Sequence, residues 1–339
     1  MGRNNDKKQL FNYDNCIKKS NELSMAKLSH GLTLNQMQLL AYAIYSTQQD
    51  GKTEFIKAGF EKKFNLVDYK TKHAKEDVPK LSRLQFSLVD LENDIVDYLN
   101  VFQRIKYDNG TFTFKWSEDI TPHILELKNK YVITDLTIAS RFQSGFSWIL
   151  YDYLKSHYGY WHKPLSKEAL MKLFGIENKK SYQSNTGLFR KKVLDVAIDE
   201  INAYTELEAW YTLEKEGRSI VGFDLHWSSG EKIASATKKQ VKELDAVVSA
   251  IHDDMFKYIN LSDDEKRQQA IQLVQQTEKM KIHTKEPITI TKKHADGLLW
   301  DANTVLQQLE NLYNADKDGN KQKPYFNWLE EDEGADNIE

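Results

Sequence analysis

Twice along this chain one order of elements can be read: an amphipathic helix, a short helix, a third helix, then two alternating runs joined by a turn. The first copy begins at Thr33, three residues before Gln36 as in a capping box, and TLNQMQLLAYAIYST carries apolar residues every three or four positions. The segment EFIKAGFEKKFNL predicts a short strand and a short helix. A third helix is predicted through KLSRLQFSLVDLENDIVDYL, with Pro79 near its first turn, where a missing N–H costs nothing. VFQRIKYDNGTFTFKW then alternates around Asp108-Asn109-Gly110, a hairpin signal because Asn and Gly tolerate the positive φ of a tight turn.

The second copy opens with a helix over 140–158, whose stripe is Phe142, Phe146, Ile149, Leu150, Tyr153 and Leu154. Ser166 caps SKEALMKLFGI, which ends at the turn around Gly175. A basic stretch leads into a long helix with Phe189, Val193, Leu194, Ala197, Ile198 and Ile201 on one side. The strands LEAWYTL and SIVGFDLHW, joined through Glu214 to Arg218, close the unit. Three helices and a hairpin make a winged helix, a plan that presents its last helix to a DNA major groove and its wing to the neighbouring backbone, and that also serves as a protein-contact module.

The expected class is therefore α+β and mainly helical. Two tandem winged-helix domains span 20–139 and 140–230 behind an N-terminal arm, 1–19. From 231 the aromatics thin out, and helical patterns at roughly 236–259, 262–282 and 297–313 predict a helical C-terminal extension over 231–325. The end, PYFNWLEEDEGADNIE, carries six acidic and no basic residues, so an acidic tail, disordered beyond its aromatic anchor, is expected over 326–339. With 5 prolines and 15 glycines in 339 residues, there is little room for flexible linkers or a turn-rich all-β fold. Cys16 is the only cysteine, which excludes an intramolecular disulfide or a thiolate metal cluster and suits a reducing compartment. The N-terminus lacks the apolar core of a signal peptide, and no stretch approaches the roughly 18 apolar residues of a membrane helix, so a cytoplasmic location is expected.

A net charge of -3 gives no general reason to expect a nucleic-acid partner, so the case rests on where the charges lie. Lys179, Lys180, Arg190, Lys191 and Lys192 fall in fourteen residues that hold no acid. Between them stand Ser181, Tyr182, Gln183, Ser184, Asn185 and Thr186, short polar groups suited to phosphate oxygens and base edges. They occupy the turn and N-terminal end of the long helix, where backbone N–H groups also favour phosphate. On a helical wheel Lys191 and Lys192 point away from the apolar stripe, while Arg190 lies nearer the core. Lys215 and Arg218 sit at the tip of the second hairpin as wing contacts. The first domain offers a weaker set: Lys80, Ser82, Arg83 and Gln85 at the start of its third helix, with Arg104 and Lys106 in its hairpin. An uncovered strand there could instead pair with a second copy of the chain.

Enzymatic readings find no support. There is no G-x-x-x-x-G-K-[ST] loop for ATP, no His-hydrophobic-His pair to serve a nucleophilic tyrosine, and the nine histidines are scattered without metal-ligand spacing. No catalytic residue, cofactor or metal is therefore expected.

SGFSWILYDYLKSHY, LMKLFGI and YQSNTGLFRKKVLDVAIDEIN, followed by two strands, resemble in this order the initiator (Rep) proteins of iteron-containing, theta-replicating plasmids, of RepA, RepE, RepB and pi type. SNELSMAKLSHGLTLNQMQLLAYAI is similar to the opening of that family's first domain, so the resemblance covers about 20–228. It implies sequence-specific binding of double-stranded DNA at short direct repeats of a plasmid origin. It further implies autorepression as a homodimer and recruitment of the host initiator and replicative helicase. Carried over, the implied DNA contacts are Lys179 to Asn185 and Arg190 to Lys192, with Lys215 and Arg218 on the wing. The extension from 231 departs from the family pattern. The competing readings are a transcriptional repressor of the same architecture without an origin function, and a winged-helix protein-interaction module.

Overall fold

The computed structural model describes residues 5–21, 23, 31–90, 95–127, 130–157, 159, 161–285 and 288–321. The chain divides into two compact units, 1–234 and 235 onward. Most of the family-like opening at 22–30, and the aromatic anchor and acidic tail after 321, lie outside the described residues.

The first unit begins with two strands that the sequence reading left as an arm, β1 (Lys8–Phe11) and β2 (Cys16–Ser20). The first winged helix follows, with α1 (Leu34–Asp50), β3 (Glu54–Ile56), α2 (Lys57–Phe64) and α3 (Thr71–Leu81). Thr33 and Gln36 form both halves of the predicted capping box, and Gly51, at φ 63°, ends α1. The wing is β6 (Phe102–Asp108) and β7 (Thr111–Trp116), to which β3 adds a third strand. Asn109 (φ 46°) and Gly110 (φ 83°) make its two-residue turn, as the sequence predicts.

The third helix of this domain corrects the reading. It is Thr71–Leu81, with Pro79 in its last turn, and the residues assigned to it after Leu84 instead pair as β4 (Gln85–Asp90) and β5 (Ile95–Asn100). Spacing alone could not decide this. Leu84, Leu88, Leu91, Ile95 and Leu99 recur at helical intervals, while Phe86, Leu88, Val96 and Tyr98 also fit alternation. Pro79 removes one backbone donor from the last turn, and the helix ends two residues later at Leu81.

After α4 (Thr121–Ile124), β8 (Tyr131–Asp135) returns to pair with β2, and α5 (Leu136–Ala139) leads into the second domain. That domain holds α6 (Gly145–Ser156), β9 (His162–Ser166), α7 (Lys167–Leu173), α8 (Lys180–Ser184), α9 (Thr186–Phe189) and α10 (Asp195–Tyr204). Between α9 and α10, Arg190–Leu194 form one wide π turn of the same helical run. Its wing is β10 (Leu207–Glu216) and β11 (Ser219–Ser229), with β9 on the far side of β11. The predicted apolar stripe from Phe189 to Ile201 is buried throughout, against Phe223, Leu225 and Trp227 of the wing sheet. Each such large side chain contributes roughly 1.5–3 kcal/mol on leaving water.

Both domains share one core, running from Ile17 to Trp227, so they are built as one body. β12 (Glu231–Ala234) pairs parallel with β1, which straps the N-terminal segment onto the end of the second domain. Glycine is required beside this strap: a Cβ on Gly230 would lie 2.3 Å from the Lys7 carbonyl oxygen. A buried ionic cluster underlies it. The Tyr151 hydroxyl donates to Glu206 Oε2 at 2.9 Å, Lys232 Nζ stands 3.1 Å from Glu206 Oε1, and the half-buried Lys155 amine donates to the Ile133 carbonyl. Burial lowers the Lys155 amine to about 8 despite the nearby Glu206 carboxylate. Burial would raise Glu206, but Lys155 and Lys232 outweigh it and hold its carboxyl below the usual range.

The second unit is helical: α11 (Lys238–Asp253), α12 (Met255–Ile259), α13 (Asp264–Lys281) and α14 (Lys292–Lys321). Thr237 with Gln240 and Asp263 cap the first and third of these. The last helix is longer than the apolar pattern at 297–313 suggests, because it starts beside Thr291, whose Oγ1 accepts the His294 N–H at 3.1 Å.

Candidate nucleic-acid interface

In the second domain the polar, acid-free stretch becomes structure of its own. Lys180–Ser184 form the short helix α8, and Asn185 stands between α8 and α9 with φ -125° and ψ 93°. Its Oδ1 accepts the Leu188 N–H at 2.8 Å, so this side chain is the N-cap of the helix that follows. Lys179, Lys180, Ser181, Ser184 and Asn185 are exposed, as are Lys191 and Lys192 in the wide turn, whereas Tyr182 is half-buried and packs edge-on to Phe189. Wide turns of this kind recur at functional sites, and this one carries the cations.

Two anchors hold the surface. Lys167, buried at the start of α7, donates from Nζ to the Gln183 carbonyl at 2.6 Å and to Thr186 Oγ1 at 3.0 Å, so it fixes α8 and Asn185 from beneath. Arg190 does not project freely. Its Nε donates to the Tyr211 hydroxyl at 3.1 Å, and that hydroxyl donates to Asp195 Oδ1 at 2.5 Å, which ties the helix to wing strand β10. Burial and the bond to Asp195 raise the Tyr211 phenol, so it stays a donor at neutral pH. Arg190 is thus placed to orient the wing against the helix. Neither Lys167 nor Tyr211 stood out in the sequence, since each looks like an ordinary helix or strand residue until its partners are seen.

At the wing tip Lys215, Gly217 and Arg218 are exposed, with Glu216 among them. The tip turns on Gly217 at φ 59°.

The first domain arranges its candidates differently from the expectation. Lys80, Ser82 and Arg83 lie at the C-terminal end of α3 instead of the start of a helix, and Ser82 Oγ donates to the Pro79 carbonyl at 3.0 Å. Lys80 shares its surroundings with Glu76 and with Asp77, which accepts from Gln36 Nε2 and from the Tyr69 hydroxyl, each at 2.7 Å. Arg104 is exposed on β6, and Lys106 pairs with Asp108 at 2.7 Å on the surface, where solvent leaves little net energy. The hydrogen bond from Lys106 holds the Asp108 carboxyl below its usual range. The helix in the recognition position also carries Lys72 and Lys75, both exposed, which fall before the segment from Lys80 that the sequence predicts as this helix.

Among the described residues no group of three His, Cys, Asp or Glu side chains is arranged to hold a metal ion, and no helix is long and apolar enough to cross a membrane.

Comparison with known proteins fits both domains. The family described as Initiator Replication protein, WH1, matches residues 16–155, and Initiator Rep protein, WH2, matches 166–227. The PI protein of Escherichia coli is 29% identical over 180 residues, 49% of this chain and 55% of that protein, so the match spans just over half of the relative's length. A crystal structure of the Pi initiator protein in complex with iteron DNA aligns with a TM-score of 0.52 at 23% identity, covering 65% of this chain and 99% of that one. That likeness shows the fold.

Proposed function

The chain belongs to the initiator replication protein family, and from that premise we propose that it binds double-stranded DNA at short direct repeats of a plasmid origin to start replication. One observation carries the reading. Lys179, Lys180, Lys191 and Lys192, in a stretch that holds no acid, are exposed at the N-terminal part of the helix that a winged helix gives to the major groove. The related initiator crystallised with iteron DNA supports the repeats as target. In this reading Lys179, Lys180, Lys191 and Lys192 neutralise phosphates, Ser181, Ser184 and the Asn185 amide face base edges, and Lys215 and Arg218 follow the backbone from the wing. The first domain lies on adjacent DNA through Lys72, Lys75, Lys80 and Arg104, and catalysis is left to recruited partners, the host initiator and helicase. As a homodimer the protein represses its own promoter.

Hydroxyl-radical footprinting on origin DNA tests this reading. The proposal expects protection centred on each direct repeat and its loss when Lys191 and Lys192 are both changed to Ala. Protection confined to one inverted repeat at the promoter would favour a repressor alone.

A further inference from the structure

Within the second unit, charge is sorted by end. The Ala236 N–H donates to the Ile290 carbonyl at 2.9 Å, and the His283 and His294 rings lie 5.5 Å apart, so α11 and α14 start where α13 finishes. At that end α11 brings Lys238, Lys239 and Lys242, α13 and the turn behind it bring Lys279, Lys281 and Lys285, and α14 brings Lys292 and Lys293. Among the described residues Glu243, Glu278 and Asp296 answer them in the same turns, Glu243 as an exposed partner of Lys239 at 3.7 Å. The opposite end is richer in acids, with Asp253 and Asp254 at the end of α11, Asp263, Asp264 and Glu265 at the start of α13, and Asp316 on α14, which accepts the Ser262 and Asp263 N–H groups; Lys257, Lys266, Arg267 and Lys317 answer them, Lys257 and Arg267 in pairs with Asp254 and Asp264.

Helix stability accounts for the sorting on α13, whose acids lie in the first turn and whose Lys279 and Lys281 lie in the last, but not on α11 and α14. Lysines at the first turns of α11 and α14 face the positive ends of those helix dipoles, and Asp253 sits at the negative end of α11, both unfavourable placements. The basic end also holds Ile282, 68% exposed between Lys281 and Lys285. An apolar side chain ringed by cations is poorly matched to water.

We propose that this basic end is a second surface for double-stranded DNA, resting on phosphates beyond the segment held by the winged helices; it depends on the reading that those domains bind DNA. The chemistry favours a duplex over an acidic protein. Lysine is depleted in protein interfaces, which centre on aromatic and arginine anchors, whereas clustered lysines neutralise phosphates without reading sequence. A minor groove also accepts an apolar side chain such as Ile282. Chain continuity supplies the duplex: Lys238 follows Ala234 by four residues, at most about 14 Å of chain, so DNA held by the first unit is at high local concentration for this end.

The test uses the full-length protein, a duplex covering one direct repeat, and the same duplex extended by unrelated sequence on both sides, in fluorescence anisotropy across a salt series. Wild type is expected to bind the extended duplex about tenfold more tightly, with a log–log salt slope steeper by about 3. Changing Lys281, Lys285, Lys292 and Lys293 together to Gln should abolish both gains and leave the short-duplex affinity unchanged. Changing Lys266 and Lys317 to Gln, at the acidic end, should preserve them. No gain on extension, a quadruple variant that keeps the gain, or an equal loss on both duplexes overturns the proposal. Failure of wild type to bind even the short duplex overturns the winged-helix reading, and this one with it.

Discussion

Asn185 has two roles that different substitutions separate. Its Oδ1 caps the helix, while the residue itself is exposed. Asn185→Ala should lose about 1 kcal/mol of stability with the cap, and about 1–3 kcal/mol of discrimination at one base pair if the amide reads a base. Asn185→Ser keeps a capping oxygen, so it should melt like wild type and still relax specificity. Recovered specificity in the serine variant would show that the cap alone matters. Lys167→Met removes the clamp on Gln183 and Thr186 without touching the exposed cations. It should weaken specific binding about tenfold, because two partly exposed acceptors lose the charged donor that holds them in place, at about 1 kcal/mol each; unchanged affinity would mean that α8 holds its place without it. Lys155 gives a pH test. Its folded-state value near 8 lies below the unfolded 10.5, so the unfolded chain binds more protons between those limits and stability rises with pH across that window. Relative to Lys155→Met, wild type should gain on the order of 2 kcal/mol in denaturant unfolding between pH 7 and pH 10, and parallel curves would contradict the burial of a charged amine there. Exposed cations in an acid-free run could be read directly from the sequence. The partners Lys167, Tyr211 and Glu206 could not, because long-range hydrogen bonds leave no local pattern.

Local elements were legible where one period dominated. The Thr33 capping box, the Asn109-Gly110 turn and the Phe189 to Ile201 stripe all form as their residues predict. The segment 85–100 was not legible, since its leucines satisfy helix and strand spacing together and tertiary pairing chose the strands. That error moved the recognition-position helix of the first domain and hid Lys72 and Lys75. The short strands β1, β2, β8 and β12 escaped for a related reason: four or five residues show too little alternation, and their pairings join positions far apart in sequence. β1 has a mechanical role that can be tested at Gly230. With the Lys7 oxygen 2.3 Å from where a Cβ would stand, Gly230→Ala should displace the β1 strap and expose Phe11, now 1% accessible. Thermal unfolding should show a loss of about 2–4 kcal/mol from that aromatic burial and strand pairing. A variant as stable as wild type would mean that the strap bears little load.

For the whole molecule, the two winged helices are built on one shared core. Their order was visible in the sequence because the plan appears twice, whereas the common core was not, being made by side chains that periodicity treats separately. The central claim is that the exposed, acid-free face of the second domain recognises origin repeats. Its most direct test is anisotropy binding of the full chain to direct-repeat DNA and to scrambled DNA of equal length, from about 50 to 200 mM salt. The account predicts at least a thousandfold preference for the repeats, a steep salt slope, and a slope reduced by about 1 when Lys191 is changed to Ala. Equal, weak binding to both duplexes, unaffected by Lys191→Ala, would contradict it.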